Sequence, residues 1–117
     1  MMNQAMLVGR LTKDPEVVEN ESGTKYSNLT IAVPRNYKNA DGIYETDFIE
    51  ITLWNSIAEN TSEYCRKGDL IGVRGRIQVD SYEVEGEKRS SQKIVADRIT
   101  FLSSKAKVEP EPALYRL

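Results

Sequence analysis

Histidine is absent from the 117 residues, and cysteine occurs once, at Cys65. The first absence removes the commonest general base, the Ser-His and Cys-His nucleophile pairs, and the commonest transition-metal ligand. The second excludes an internal disulfide framework and, without histidine, a zinc site. Carboxylates remain for Mg²⁺ or Ca²⁺, but neither a D-x-D-x-D-G loop nor a P-loop is found. The expectation is a protein with no cofactor, no metal and no catalysis. Long apolar runs are also missing: none approaches the ~18 residues of a membrane span. The opening MMNQAMLVGRL has no basic region leading into such a run, so the expected location is cytoplasmic, with no membrane partner. Finally, there is no excess of basic charge. The net charge is −2 and the isoelectric point about 5.2. Any nucleic-acid site must therefore be a local patch on an acidic body.

What is present suits one folded domain. The chain is 39% hydrophobic and 29% charged, a balance unlike that of disordered chains. It reads as short strands between turn signals. Asn3 to Leu11 is β-like and is broken by Lys13-Asp14-Pro15. Lys25 to Val33 alternates Leu29, Ile31 and Val33 against Asn28 and Thr30, and Pro34 is expected to end it. Asp41-Gly42 signals a hairpin. Asp47 to Trp54 is a third strand, with Ile49, Ile51 and Leu53 on one face. Ser56-Ile57-Ala58-Glu59 has the form of a capping box and opens the one convincing helix. In that helix Ile57, Thr61 and Tyr64 recur at helical spacing. Arg66 and Lys67 suit its last turn, and Gly68 stops it. Cys65 reads as a small buried apolar residue.

Leu70 to Val79 is a fourth strand, with Ile71, Val73, Ile77 and Val79 on one parity and Arg74, Arg76 and Gln78 on the other. Tyr82 to Val84 continue outward, Glu85-Gly86-Glu87 turn, and Ser91 to Leu102 return as a fifth strand. Residues 1–104 are thus expected to form the domain. Residues 105–117, with Pro110 and Pro112 and no periodicity, are expected to be a flexible tail. The fold class is all-β. A helix between the third and fourth of five strands suggests an OB-fold, a Greek-key barrel, with split β-meander and SH3-like barrels as competitors.

The candidate site follows from strand parity. If Ile49, Ile51 and Leu53 face the core, Phe48 and Trp54 must face outward beside Glu50 and Thr52. Large aromatics facing solvent need a reason, and stacking of unpaired bases is one. Packing under a loop, under the helix or in a subunit interface is another. Tyr37 lies between Arg35 and Lys38, and Tyr82 lies beyond Arg74 and Arg76. Cations interleaved with aromatics suit a single-strand groove, the cations meeting phosphates and the rings taking bases. The plainer account of Arg74 and Arg76 is a solvated strand face, or pairing with Glu50.

Several stretches in combination resemble the bacterial single-stranded-DNA-binding protein family. They are Asn3 to Leu11, Lys13-Asp14-Pro15-Glu16, Leu29 to Val33, Asp47-Phe48-Ile49, Leu53-Trp54, Ala58-Glu59, Tyr64, Arg66-Lys67-Gly68 and Val73 to Ile77. The resemblance implies an OB-fold and sequence-independent binding of single-stranded DNA in replication, recombination, repair or uptake. It implies stacking by Tyr37, Phe48, Trp54 and Tyr82, with Arg35, Lys38, Arg74 and Arg76 meeting the backbone. It also implies a homotetramer with a dimer contact through strand Asn3 to Leu11.

This chain departs from the family pattern at Val18-Glu19 and at Gln78-Val79-Asp80-Ser81, losing positive charge on the presumed DNA path. Weaker or more readily salt-disrupted binding is expected. The final residues, Glu109 to Leu117, lack the family's acidic tip: the chain reads either as a short natural form or as a truncated one, and in neither case is tail-mediated recruitment of proteins expected. Two other readings use the same fold: a primosome-type protein-interaction module with weak DNA binding, and a nuclease, which would need a carboxylate cluster not seen here.

Overall fold

The computed structural model describes residues 1–103. The tail expected from residue 105, and the domain boundary at 104, lie outside the described residues. The chain order is β1 (Ala5–Leu11), β2 (Val18–Glu19), β3 (Lys25–Lys38), β4 (Tyr44–Trp54), α1 (Ser56–Tyr64), β5 (Leu70–Val84) and β6 (Glu87–Ser103). The strands form one sheet in the order β1-β5-β6-β4-β3-β2, and β1 also pairs with β3. Closure comes from β1. It runs antiparallel to β5 from Ala5 to Arg10, then meets β3 through Arg10↔Ala32 and Leu11↔Ile31. On the other side β4 and β6 pair in parallel, at Ile51↔Ile94 and Thr52↔Val95. Setting aside the two-residue edge strand β2, five strands close into a barrel with a helix between β4 and β5. This is an OB-fold.

Alternation of apolar residues builds the interior. Leu11, Leu29, Ile31, Ile51, Leu53, Ile71, Val73 and Ile94 are buried, and Ala58 and Cys65 cover one end. Gly9 lies where β1 crosses onto β3. A Cβ there would sit 2.8 Å from the Ala32 carbonyl oxygen, so only glycine permits the approach.

Several elements differ from expectation. Pro34 does not end its strand: β3 continues to Lys38, with Pro34 opposite Thr46 and a register shift between Pro34 and Lys38. Proline is tolerated beside such an irregularity, where a ladder hydrogen bond is already lost. The third predicted strand begins earlier, at Tyr44.

The capping box does not form. Asn55 is the N-cap, Ser56 is already helical, and no side chain caps the helix. Asn55 takes φ 57 and ψ −128, because β4 must turn sharply into α1. The helix ends at Tyr64. Arg66 therefore lies past the last turn, but its Nη1 donates to the Ser62 and Cys65 carbonyls at 2.8 and 2.7 Å, capping them from outside. Tyr64 is exposed rather than part of the core, and rests against Phe101 with ring centroids 5.8 Å apart.

Strands β5 and β6, the predicted fourth and fifth, form a long hairpin closed by Glu85 and Gly86, both at positive φ. Two such residues make the turn that suits the twist of a hairpin. Its outer half leaves the barrel: every residue from 81 to 92 is exposed. Ile77 and Val79 keep the inward parity of Ile71 and Val73 but are exposed, because no strand lies over them.

Candidate nucleic-acid interface

The outer surface of the barrel is set by the same alternation. On the β3–β4 ribbon the outward pairs are Tyr26↔Trp54, Asn28↔Thr52, Thr30↔Glu50 and Ala32↔Phe48. Phe48 is 67% exposed and Trp54 is 38% exposed. Neither ring enters the interior, while Ile51 and Leu53 between them are fully buried. Six residues apart on one strand, they are separated by about 20 Å at ~3.4 Å per residue. Trp54 is partly shielded because Tyr26 leans on it, with ring centroids 5.4 Å apart and planes tilted by 44°.

The outer face continues across β6 and β5. Ladder partners Gln78↔Lys93, Asp80↔Ser91 and Tyr82↔Arg89 have the same parity as Arg76↔Val95. Tyr82, 47% exposed, therefore stands on this face of the projecting hairpin. Between the hairpin and the ribbon runs a polar groove lined by Lys13, Asn28, Thr30, Glu50, Asp80 and Lys93 among others. Thr52 Oγ1 donates to Asn28 Oδ1 at 2.9 Å on its floor.

The remaining sequence-predicted residues fall elsewhere. Tyr37, 60% exposed, lies at the far end of the ribbon within the register shift, and Lys38 lies where pairing resumes, opposite Tyr44. The Lys38 ammonium sits 5.7 Å from the centre of the Tyr44 ring, within cation–π range. Arg35 shares the parity of Leu29, Ile31 and Val33, opposite to that of Phe48. Its Nε and Nη2 bind the Asp47 carboxylate at 3.1 and 2.9 Å, and Nη1 binds Glu45 at 3.0 Å. This hydrogen bond, helped by the charge, holds the Asp47 carboxyl below the usual carboxylate range.

Arg74 lies directly across from Met6 and pairs with Asp97 at 2.7 Å, not with Glu50. It lines a separate apolar groove with Met6, Val8, Arg98, Thr100 and Leu102. The fold thus gathers Phe48, Trp54, Arg76 and Tyr82 on one outer face, sets Tyr37 and Lys38 at its end, and directs Arg35 and Arg74 away. Sequence reasoning missed Tyr26, Tyr44 and Lys93. Parity with Asn28 and Thr30 marks Tyr26 as outward; Lys93 needed the hairpin register.

One edge of the sheet is also open. Along Ala5 to Gly9, β1 pairs only with β5, and its outward Met6 and Val8 are exposed. No helix among the described residues is long and apolar enough to cross a membrane.

Comparison with known proteins agrees with this fold. The chain is 48% identical to single-stranded DNA-binding protein B of Bacillus subtilis (strain 168) over 106 residues, 90% of this chain and 94% of that protein. It is 43% identical to the single-stranded DNA-binding protein of Staphylococcus aureus (strain MRSA252) over 117 residues, 99% of this chain and 75% of that one. It is 42% identical to single-stranded DNA-binding protein 1 of Clostridium acetobutylicum over 106 residues, 89% of this chain and 96% of the relative. The model of the single-strand binding protein family matches residues 2–102, all but the first and last of the described residues and nearly the whole barrel. A closed OB barrel with its rings turned outward is therefore the scaffold of a member of the single-strand binding protein family, and this chain belongs to it.

Proposed function

We propose that this protein binds single-stranded DNA without regard to sequence and shields it during replication, recombination, repair or uptake, without catalysis. The observation that carries the reading is the exposure of Phe48 and Trp54 on a strand whose Ile51 and Leu53, on the opposite face, are fully buried. Exposed rings on a barrel face can stack on unpaired bases, and each stack contributes about 1–3 kcal/mol whatever the base. Tyr82 on the hairpin and Tyr37 at the ribbon's end extend the same surface. Lys38 and Arg76 meet phosphates along it, while Arg35 and Arg74 must first leave their carboxylate partners to do so. Duplex DNA hides its base faces and binds poorly.

The working form is a homotetramer in the cytoplasm, associated with nucleoid DNA. Support comes from the open edge of β1, with Met6 and Val8 exposed beside Leu102. An unpaired edge bearing apolar side chains invites pairing with a second copy. The test uses the chain's one tryptophan. Oligo-dT quenches Trp54 fluorescence at low salt and an equal duplex does not; equal quenching by both, or by neither, refutes the reading.

A further inference from the structure

The groove between the β3–β4 ribbon and the hairpin contains a chain of polar contacts that the reading above does not use. Arg76 Nη1 donates to Gln78 Oε1 at 3.0 Å. Gln78 Nε2 donates to Asp80 Oδ1 at 3.0 Å, and Lys93 Nζ lies 3.3 Å from Asp80 Oδ2. All four side chains share the outer parity of Tyr82. Lys93 and Asp80 also line the groove whose opposite wall carries Asn28, Thr30 and Glu50. Two cations on the path toward Tyr82 are thus engaged by one carboxylate, directly for Lys93 and through an amide for Arg76. A phosphate oxygen offers an acceptor of the same kind and charge as the Asp80 carboxylate.

We propose that Lys93 is a phosphate-binding residue of this interface and that Asp80 is its built-in competitor. Asp80 occupies Lys93 in the free protein and must release it when a strand lies in the groove. Lys93 is well placed for this role: about a quarter of its side chain is exposed, enough for the ammonium to reach the groove while its stem packs on the sheet. The competition limits affinity in two ways. Each phosphate contact displaces an internal partner instead of only a counterion, and Asp80 itself repels the approaching backbone. A groove whose cations are already neutralised releases fewer counterions, so its binding depends less steeply on salt. Weak binding and shallow salt dependence then go together, whereas the charge deficit seen in the sequence alone suggested readier disruption by salt.

This inference rests on the single-strand reading, and the test separates the two. The unaltered protein and the Asp80→Asn variant are titrated with oligo-dT at several salt concentrations, following Trp54 fluorescence. The expected result is a three- to fivefold gain in affinity at low salt, roughly what one surface ion pair amounts to. The slope of log affinity against log salt steepens by about 0.7, the value for one more neutralised phosphate on a single strand. Adding Lys93→Gln to Asp80→Asn removes most of the gain. Melting curves of each variant verify folding, and the half-exposed position of Asp80 makes loss of fold unexpected. If the unaltered protein binds but Asp80→Asn leaves affinity and slope unchanged, or weakens binding, the competitor role is overturned. If the gain survives in the double variant, Lys93 is not the residue released. If neither protein binds oligo-dT, the single-strand reading itself fails.

Discussion

Replacing Phe48 with alanine isolates base stacking from folding. The ring is 67% exposed, and its ladder partner across β3 is the small Ala32, so its packing within the protein is slight. Removing it costs stability no more than the ~1 kcal/mol span of strand propensities. Binding should respond far more. One stacked base contributes about 1–3 kcal/mol, and 1.4 kcal/mol is a factor of ten, so oligo-dT affinity falls by about five- to 150-fold. Trp54 lies about 20 Å along the strand at ~3.4 Å per residue, outside contact with the altered site, and still reports binding. The assay is fluorescence titration of both proteins at one low salt concentration, with melting curves alongside. Phe48→Tyr, which keeps a flat ring, retains most of the affinity. The reasoning is refuted if Phe48→Ala binds as tightly as the parent, or if its loss of affinity follows a matching loss of fold.

Three further outcomes follow from the barrel itself. Asn55→Gly should raise stability by about 1 kcal/mol and the melting temperature by about 4–8 °C, because φ 57 with ψ −128 suits glycine and the asparagine side chain makes no cap bond. Gly75→Ala should lower stability by about 1–3 kcal/mol in a denaturant titration: its Cβ would collide with the Val95 carbonyl oxygen and sit 2.9 Å from the Ala96 Cα, both backbone. Burial pushes the Cys65 thiol up to about 11, the Asp69 charge adding to it and Arg66 opposing it. The folded thiol keeps its proton while the unfolded one ionises from about 9.0, so this contribution to stability is whole below pH 9 and is lost as pH rises toward 11. Denaturation midpoints for the parent should fall over that window more steeply than for Cys65→Ala, and thiol reagents should label the folded protein slowly at pH 8.

Strand parity was the part of this protein legible from residue order. The alternation of Leu29, Ile31, Ile49, Ile51 and Leu53 specifies which side of each strand is apolar, and an extended chain repeats every two residues whatever its neighbours do. The outward placement of Phe48 and Trp54 followed from that period alone. Parity, however, is a local rule and says nothing about where a strand stops being covered. Ile77 and Val79 obey it and are still exposed, because the hairpin outruns the barrel.

Tertiary structure decided what lies beside what. Arg35 looked like a groove cation until β3 and β4 came into register and Asp47 and Glu45 closed on it. Arg74 proved to face Met6 across β1, and the cap at α1 passed from Ser56 to Asn55 because β4 has to turn there. The coupling of Asp80 to Lys93 joins residues on two arms of a hairpin, a contact set by strand register and turn length. Periodicity assigns each side chain a face, but charge pairing depends on distances of a few ångströms between strands. Only closure of the sheet brings those strands together.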